Sequence, residues 1–169
     1  MPNDSHHIKR GVPRTPPEKN NLKGPFLMVE DKVFLEFKNV LTELDKLREH
    51  LESLGNSFGM TNKGIFQINL ALEEIFTNIV SYGYKDKAAH WIKITIWSQN
   101  GKINICVEDD GIPFDPLEAD VPDLKCPIED RRIGGLGCHF MRRFMDDCHY
   151  ERIGDKNVLT MKKNIEESS

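Results

Sequence analysis

The sequence predicts an α+β fold, a two-layer sandwich with helices on one face of a mostly antiparallel mixed sheet. Three observations carry this. Apolar residues alternate at 33–37, 91–97 and 102–109, the period-two pattern of strands with one buried face. Stretches before and between them place apolar residues three and four apart, as helices covering that face require. Asn100-Gly101 lies between two of the strands and is a strong hairpin signal, making them antiparallel neighbours.

The 169 residues divide into a flexible tail at 1–25 and one domain at 26–165, long enough to bury a core. The tail sets Pro2, Pro13, Pro16, Pro17 and Pro25 among polar and basic residues, a composition unsuited to packing. A hydrophobic content of 38% with 30% charged residues suits a soluble globular chain. The net charge of −4 gives no electrostatic reason to expect direct nucleic-acid binding. No apolar run approaches the roughly 18 residues of a membrane span. Met1-Pro2-Asn3-Asp4-Ser5-His6-His7 lacks the apolar core of a secretory signal, so the expected location is the cytoplasm. Cys106, Cys126, Cys138 and Cys148 are far apart and show no CxxC spacing. They read as reduced core thiols rather than disulfide partners or zinc ligands.

The elements follow in order. Val33, Leu35 and Phe37 face one way on a first strand. Thr42 is placed to cap the next helix, whose stripe is Leu44, Leu47, Leu51 and Leu54, and which ends across 55–59. His50 on this helix reads as a surface histidine; a phospho-acceptor role would need a second long helix in a dimerising hairpin. A second helix covers about 62–81. Ile92, Ile94 and Ile96, then Ile103, Ile105 and Val107, form the buried faces of the hairpin strands. The stretch 112–133 carries Pro113, Pro116, Pro122 and Pro127 and is too long and broken for a plain connection, which suggests a functional lid. A helix at 135–145 buries Leu136, Phe140, Met141, Phe144 and Met145 and turns Arg142 and Arg143 outward. Strands at 148–153 and 157–163 close the chain through a turn at Gly154-Asp155.

Three fragments carry chemistry. On the second helix Ile68, Leu72, Ile75 and Ile79 define the buried stripe. At 100° per residue, Glu74 and Asn78 stack one turn apart beside that stripe, while Glu73 falls on the other flank. They fit a solvated flank with a helical hydrogen-bond pair. They also fit phosphoryl chemistry: a carboxamide oxygen is a hard neutral ligand for Mg²⁺, and a carboxylate can take a proton from an attacking hydroxyl. In the second fragment, Asp109-Asp110-Gly111, Asp109 shares the parity of Ile103, Ile105 and Val107 and so points to the buried side. It is either a strand-end cap of the turn into Gly111 or a carboxylate kept for a ligand donor such as an exocyclic amine. Gly111 lets backbone approach a ligand closely. The third fragment, Gly134-Gly135-Leu136-Gly137, opens a helix, where free N–H groups and the positive helix end suit an anion. Arg131 and Arg132 just upstream either add phosphate contacts or belong to a solvated charged loop.

ExxxN on a helix, DxG after a strand, a lid and GxG opening a helix resemble the GHKL ATPases, the superfamily of gyrase, Hsp90, histidine kinases and MutL. Within it, the segments 71–84, 107–116 and 134–147 are similar to the stand-alone anti-sigma serine/threonine kinases of the SpoIIAB and RsbW kind. The resemblance spans roughly 30–163. It implies the Bergerat ATP-binding fold, ATP and Mg²⁺. Glu74 would be the general base, Asn78 the Mg²⁺ ligand and Asp109 the acceptor for the adenine amine. Gly111, Gly135, Leu136 and Gly137 would line the nucleotide, with Arg132 beside the phosphates and 112–134 as lid. The implied substrate is a serine on a STAS-domain anti-sigma-factor antagonist. The implied partners also include a sigma factor or similar regulator held inactive, and a second copy in a homodimer. Alternatives are an ATP-dependent binding module without phosphotransfer and a histidine-kinase catalytic domain acting in trans. The chain departs from the pattern at Pro113, where DxGxG has its second glycine, and at Ile133, where GxGxG has its first. The late-strand threonine beside adenine is not matched either; Asn157 or Val158 stands in that region, with Thr160 offset.

Overall fold

The computed structural model describes residues 26–29, 32–118 and 136–165. The expected tail, most of the expected lid, Cys126, Arg132 and Gly135 lie outside the described residues. Nine elements follow in chain order: β1 (Phe26–Val29), β2 (Lys32–Lys38), α1 (Leu44–Ser57), α2 (Asn62–Tyr82), β3 (Trp91–Gln99), β4 (Lys102–Asp109), α3 (Leu136–Phe144), β5 (Asp147–Ile153) and β6 (Lys156–Asn164). The strands form one sheet in the order β1-β2-β3-β4-β6-β5. Every pairing among the described residues is antiparallel, so the described sheet is not mixed.

Alternation decides which face is buried. Val33, Leu35 and Phe37 on β2, Ile92, Ile94 and Ile96 on β3, and Ile103, Ile105 and Val107 on β4 all lie in the core. Their registers stack them in rows, for example Leu35, Ile94 and Val107. The helices supply the other layer: Leu47, Leu51 and Leu54 from α1, Ile68, Leu72, Ile75 and Phe76 from α2, and Met141 from α3. Phe76 meets Phe37 edge to face at 5.9 Å, a favoured aromatic geometry.

The β3–β4 hairpin turns through Asn100 (φ 52°) and Gly101 (φ 70°), the two positive angles of a type I′ turn. The Thr61 hydroxyl caps α2, accepting from Gly64 N at 3.1 Å. Thr42 does not cap α1. Residues 41–43 form a 3-10 turn, α1 begins at Leu44, and Glu43 at the cap position makes no side-chain cap bond. The extra turn carries the threonine hydroxyl past the place where a cap acts. Strand β1 falls between the expected tail and first strand and is paired through its whole length to β2. Among the described residues no helix is long and apolar enough to cross a membrane.

Candidate functional site

The last turns of α2, the end of β4 and the start of β6 meet around a cavity of about 210 Å³ whose walls include Asn78, Gly83, Asp109, Phe114, Cys138 and Asn157. Two of the three fragments are therefore brought together directly. Asn78 lines the cavity from α2 and Asp109 from the end of β4. For the third, Leu136 and Gly137 form the start of α3, and Cys138, one residue on, lines the same space.

Glu74 lies outside the immediate lining, one helical turn before Asn78, and is half-buried. Burial and the neighbouring charge of Glu73 push its carboxyl above the ordinary range. Glu73 turns the other way, its Oε1 accepting from Arg48 Nε of α1 at 2.8 Å. The two adjacent carboxylates thus have separate surroundings, and among the described residues Glu74 has no hydrogen-bond or ion-pair partner. The Asn78 carboxamide likewise makes no hydrogen bond with a described residue, which leaves its oxygen available to a cation.

Asp109 is buried. Its Oδ1 accepts from Gly111 N at 2.8 Å and from Asn157 Nδ2 at 2.8 Å. Burial drives its carboxyl upward, opposed by the Asn157 and Gly111 hydrogen bonds. Gly111 is needed for a close approach within the protein. A Cβ there would stand 2.6 Å from the Gly83 carbonyl oxygen and 2.7 Å from Asp109 Oδ1. Ile112 N donates to that same Gly83 oxygen at 2.7 Å, so the DxG turn lies directly on the end of α2.

Residues 37–163 match the model of the histidine kinase-like ATPase domain. The chain belongs to this family. Within it, the chain is 30% identical over 96 residues to the serine/threonine-protein kinase BtrW of Bordetella bronchiseptica, covering 57% of this chain and 68% of that protein. It is 30% identical over 120 residues to the serine-protein kinase RsbW of Bacillus cereus, covering 69% and 74%. It takes its place beside them as a serine/threonine-protein kinase. A solved structure of the RsbU and RsbW domains of a Mycobacterium tuberculosis protein superposes with a TM-score of 0.56 at 14% identity over 78% of this chain. The chain spans only 32% of that protein's length, and the likeness speaks to the fold alone.

Three residues around this cavity make contacts that the sequence pattern does not announce. Asn157 bridges Asp109 to the turn after it, its Nδ2 donating to Asp109 Oδ1 and to Ile112 O. Arg152 on the edge strand donates from Nη1 to Gly111 O and to Asn157 Oδ1, both at 2.9 Å. Arg142, expected on the outer face of α3, instead turns its Nη2 to the carbonyls of Pro116 and Leu117. The register Asp109↔Asn157 was the signal for the first, but it needs the pairing of β4 with β6, which no local pattern announces.

Cys106, Cys138 and Cys148 are free thiols, and burial raises each of them. The His50 ring nitrogen Nδ1 lies 2.6 Å from Lys46 O, and the ring packs edge-on against Phe37.

Proposed function

We propose that this kinase binds Mg-ATP in the α2–β4–β6 cavity and transfers the γ-phosphoryl group to a serine of a STAS-domain anti-sigma-factor antagonist. It also holds a sigma factor inactive, and it acts as a homodimer in the cytoplasm. The names of the matched kinases support the class of reaction. The single observation that carries the site assignment is that Asn78 and buried Asp109 line one cavity, with Glu74 one helical turn before Asn78, just outside that lining.

The roles follow from each group's surroundings. The adenine amine donates to Asp109 Oδ2, since Oδ1 already has two donors. Asn78 Oδ1 would hold Mg²⁺, which would neutralise charge on the phosphates. Leu136 and Gly137 at the start of α3 receive the triphosphate, together with Gly135 and Arg132, whose part rests on the family resemblance alone. Glu74 takes the proton of the serine hydroxyl as its oxygen bonds to the γ-phosphorus. The bond from that phosphorus to the bridging oxygen breaks, and ADP leaves with the electron pair. A carboxyl raised by burial is a stronger base than an exposed one, as this step needs.

Incubation with Mg-ATP and a cognate STAS antagonist tests the proposal. The expected product is acid-stable phosphoserine on the antagonist, lost in Glu74→Gln while ATP binding persists. Equal labelling by Glu74→Gln refutes the base assignment. ATP binding without any labelling leaves a regulatory binding module, and acid-labile phosphohistidine means a histidine-kinase domain acting in trans.

A further inference from the structure

The carboxamide of Asn157 sits among five partners whose polarity admits one orientation. On one side are donors: Tyr150 OH at 2.8 Å, Arg152 Nη1 at 2.9 Å and Phe114 N at 3.4 Å, all directed at Oδ1. On the other are acceptors: Asp109 Oδ1 at 2.8 Å and Ile112 O at 3.0 Å, both receiving from Nδ2. Reversing the amide would set its N–H groups against those of Arg152 and Phe114. It would also set its oxygen against a carboxylate and a carbonyl. An unmatched buried polar contact of this kind is costly.

Arg152 contributes twice. The same Nη1 that holds Asn157 Oδ1 also holds Gly111 O, so one guanidinium nitrogen on the edge strand β5 joins the β6 asparagine to the DxG turn. The consequence reaches Asp109. Its Oδ1 is occupied by two N–H donors, while Oδ2 accepts from no described residue and the side chain lines the cavity. A carboxylate fixed in this way can only accept. A 6-amino purine offers it a hydrogen; a 6-oxo purine offers a lone pair.

We propose that Arg152, acting through the locked Asn157 carboxamide, is the positioning residue that keeps Asp109 a pure acceptor and so selects 6-amino over 6-oxo purine nucleotides. This rests on the reading of the cavity as the ATP site. With the lock removed, the asparagine can rotate and Asp109 loses a donor that favours its ionised form. A protonated Asp109 can then donate to a 6-oxo group. The other charged or titratable groups facing Asp109 are Asp110 after β4, whose like charge raises it, Arg152, which lowers it, and Tyr84 after α2. Weakened selection therefore grows as pH falls.

The test compares binding of ATP and inosine triphosphate, which differ at the 6-position and in the proton that the 6-oxo base carries on N1, by calorimetry on the full chain at about pH 6 and about pH 8. The wild type is expected to prefer ATP at both. Arg152→Ala is expected to lower the ATP-to-ITP preference about tenfold, with the larger loss at low pH. Arg152→Lys, which retains a donor for Asn157 Oδ1, restores part of it. Tyr150→Phe removes a second donor to the same oxygen and must move the preference in the same direction, which serves where Arg152→Ala does not fold. Variants that bind both nucleotides more weakly at an unchanged ratio and unchanged pH dependence would reduce Arg152 to a structural brace and overturn the inference alone. Failure of the wild type to bind either nucleotide overturns the cavity assignment and this inference with it.

Discussion

Substituting Gly111 by alanine tests how tightly the nucleotide-facing turn is seated on α2. The added Cβ would stand 2.6 Å from the Gly83 carbonyl oxygen, about 0.8 Å short of an ordinary 3.4 Å contact. The obstacle is backbone, so no side chain can swing aside. Separating the two segments by that amount stretches the Ile112 N to Gly83 O bond from 2.7 Å to about the limit of hydrogen bonding. Losing it costs about 1 kcal/mol, and the overpacking adds about 1–3 kcal/mol. The expected destabilisation is about 2–4 kcal/mol, or a fall in melting temperature of about 5–15 °C for a chain of this size. The second clash, 2.7 Å from Asp109 Oδ1, moves the proposed adenine acceptor, so ATP affinity falls about tenfold or more. Thermal unfolding and ATP titration of purified Gly111→Ala measure both. Gly101→Ala is the control. It has φ +70° and no atom within 4 Å, so it costs about 1–2 kcal/mol of backbone strain without touching ATP binding. A Gly111→Ala protein with wild-type stability and affinity would refute this account of the turn.

The other predictions follow from single groups. Asp109→Asn keeps an oxygen for Gly111 N but turns an NH₂ toward the adenine amine, so ATP binding weakens about a hundredfold by titration while folding is little changed. Phe76→Ala empties a fully buried site beside Phe37 and is expected to cost about 3–5 kcal/mol in denaturant unfolding. Phosphotransfer should fall as pH drops through the raised carboxyl of Glu74, since the base must be ionised. Glu73 contributes to that rise, so Glu73→Gln should move the acid limb of the pH–rate profile to lower pH. His90, held between Asp86 and Asp110, titrates above its ordinary value near 6.5. Its stabilising contribution is complete below that value and is lost as pH rises through the raised one. The stability difference between wild type and His90→Gln should shrink along that course in pH-dependent melts.

Strong local periods made much of the fold legible. The alternation of β2, β3 and β4 was unambiguous because each strand buries one face. The same rule aimed Asp109 inward, where it is found buried. Helical geometry separated Glu74 from Glu73, and the Arg48 pairing of Glu73 agrees with that separation. Features that depend on distant pairing were hidden. Four residues of β1 are too few to show a period, and they become a strand only by lying on β2. Asn157 and Asp109 stand 48 positions apart and meet only because β6 lies beside β4. Arg142 was assigned outward from its helical position alone, but a long side chain can reach back to unpaired carbonyls, and those of Pro116 and Leu117 are within its reach.

A crystal structure with Mg²⁺ and a non-hydrolysable ATP analogue tests the central claim most directly. The account predicts the adenine 6-amino nitrogen within about 3 Å of Asp109 Oδ2, the ion on Asn78 Oδ1, and the triphosphate at the start of α3. A base bound outside the cavity, or an ion away from Asn78, would contradict it.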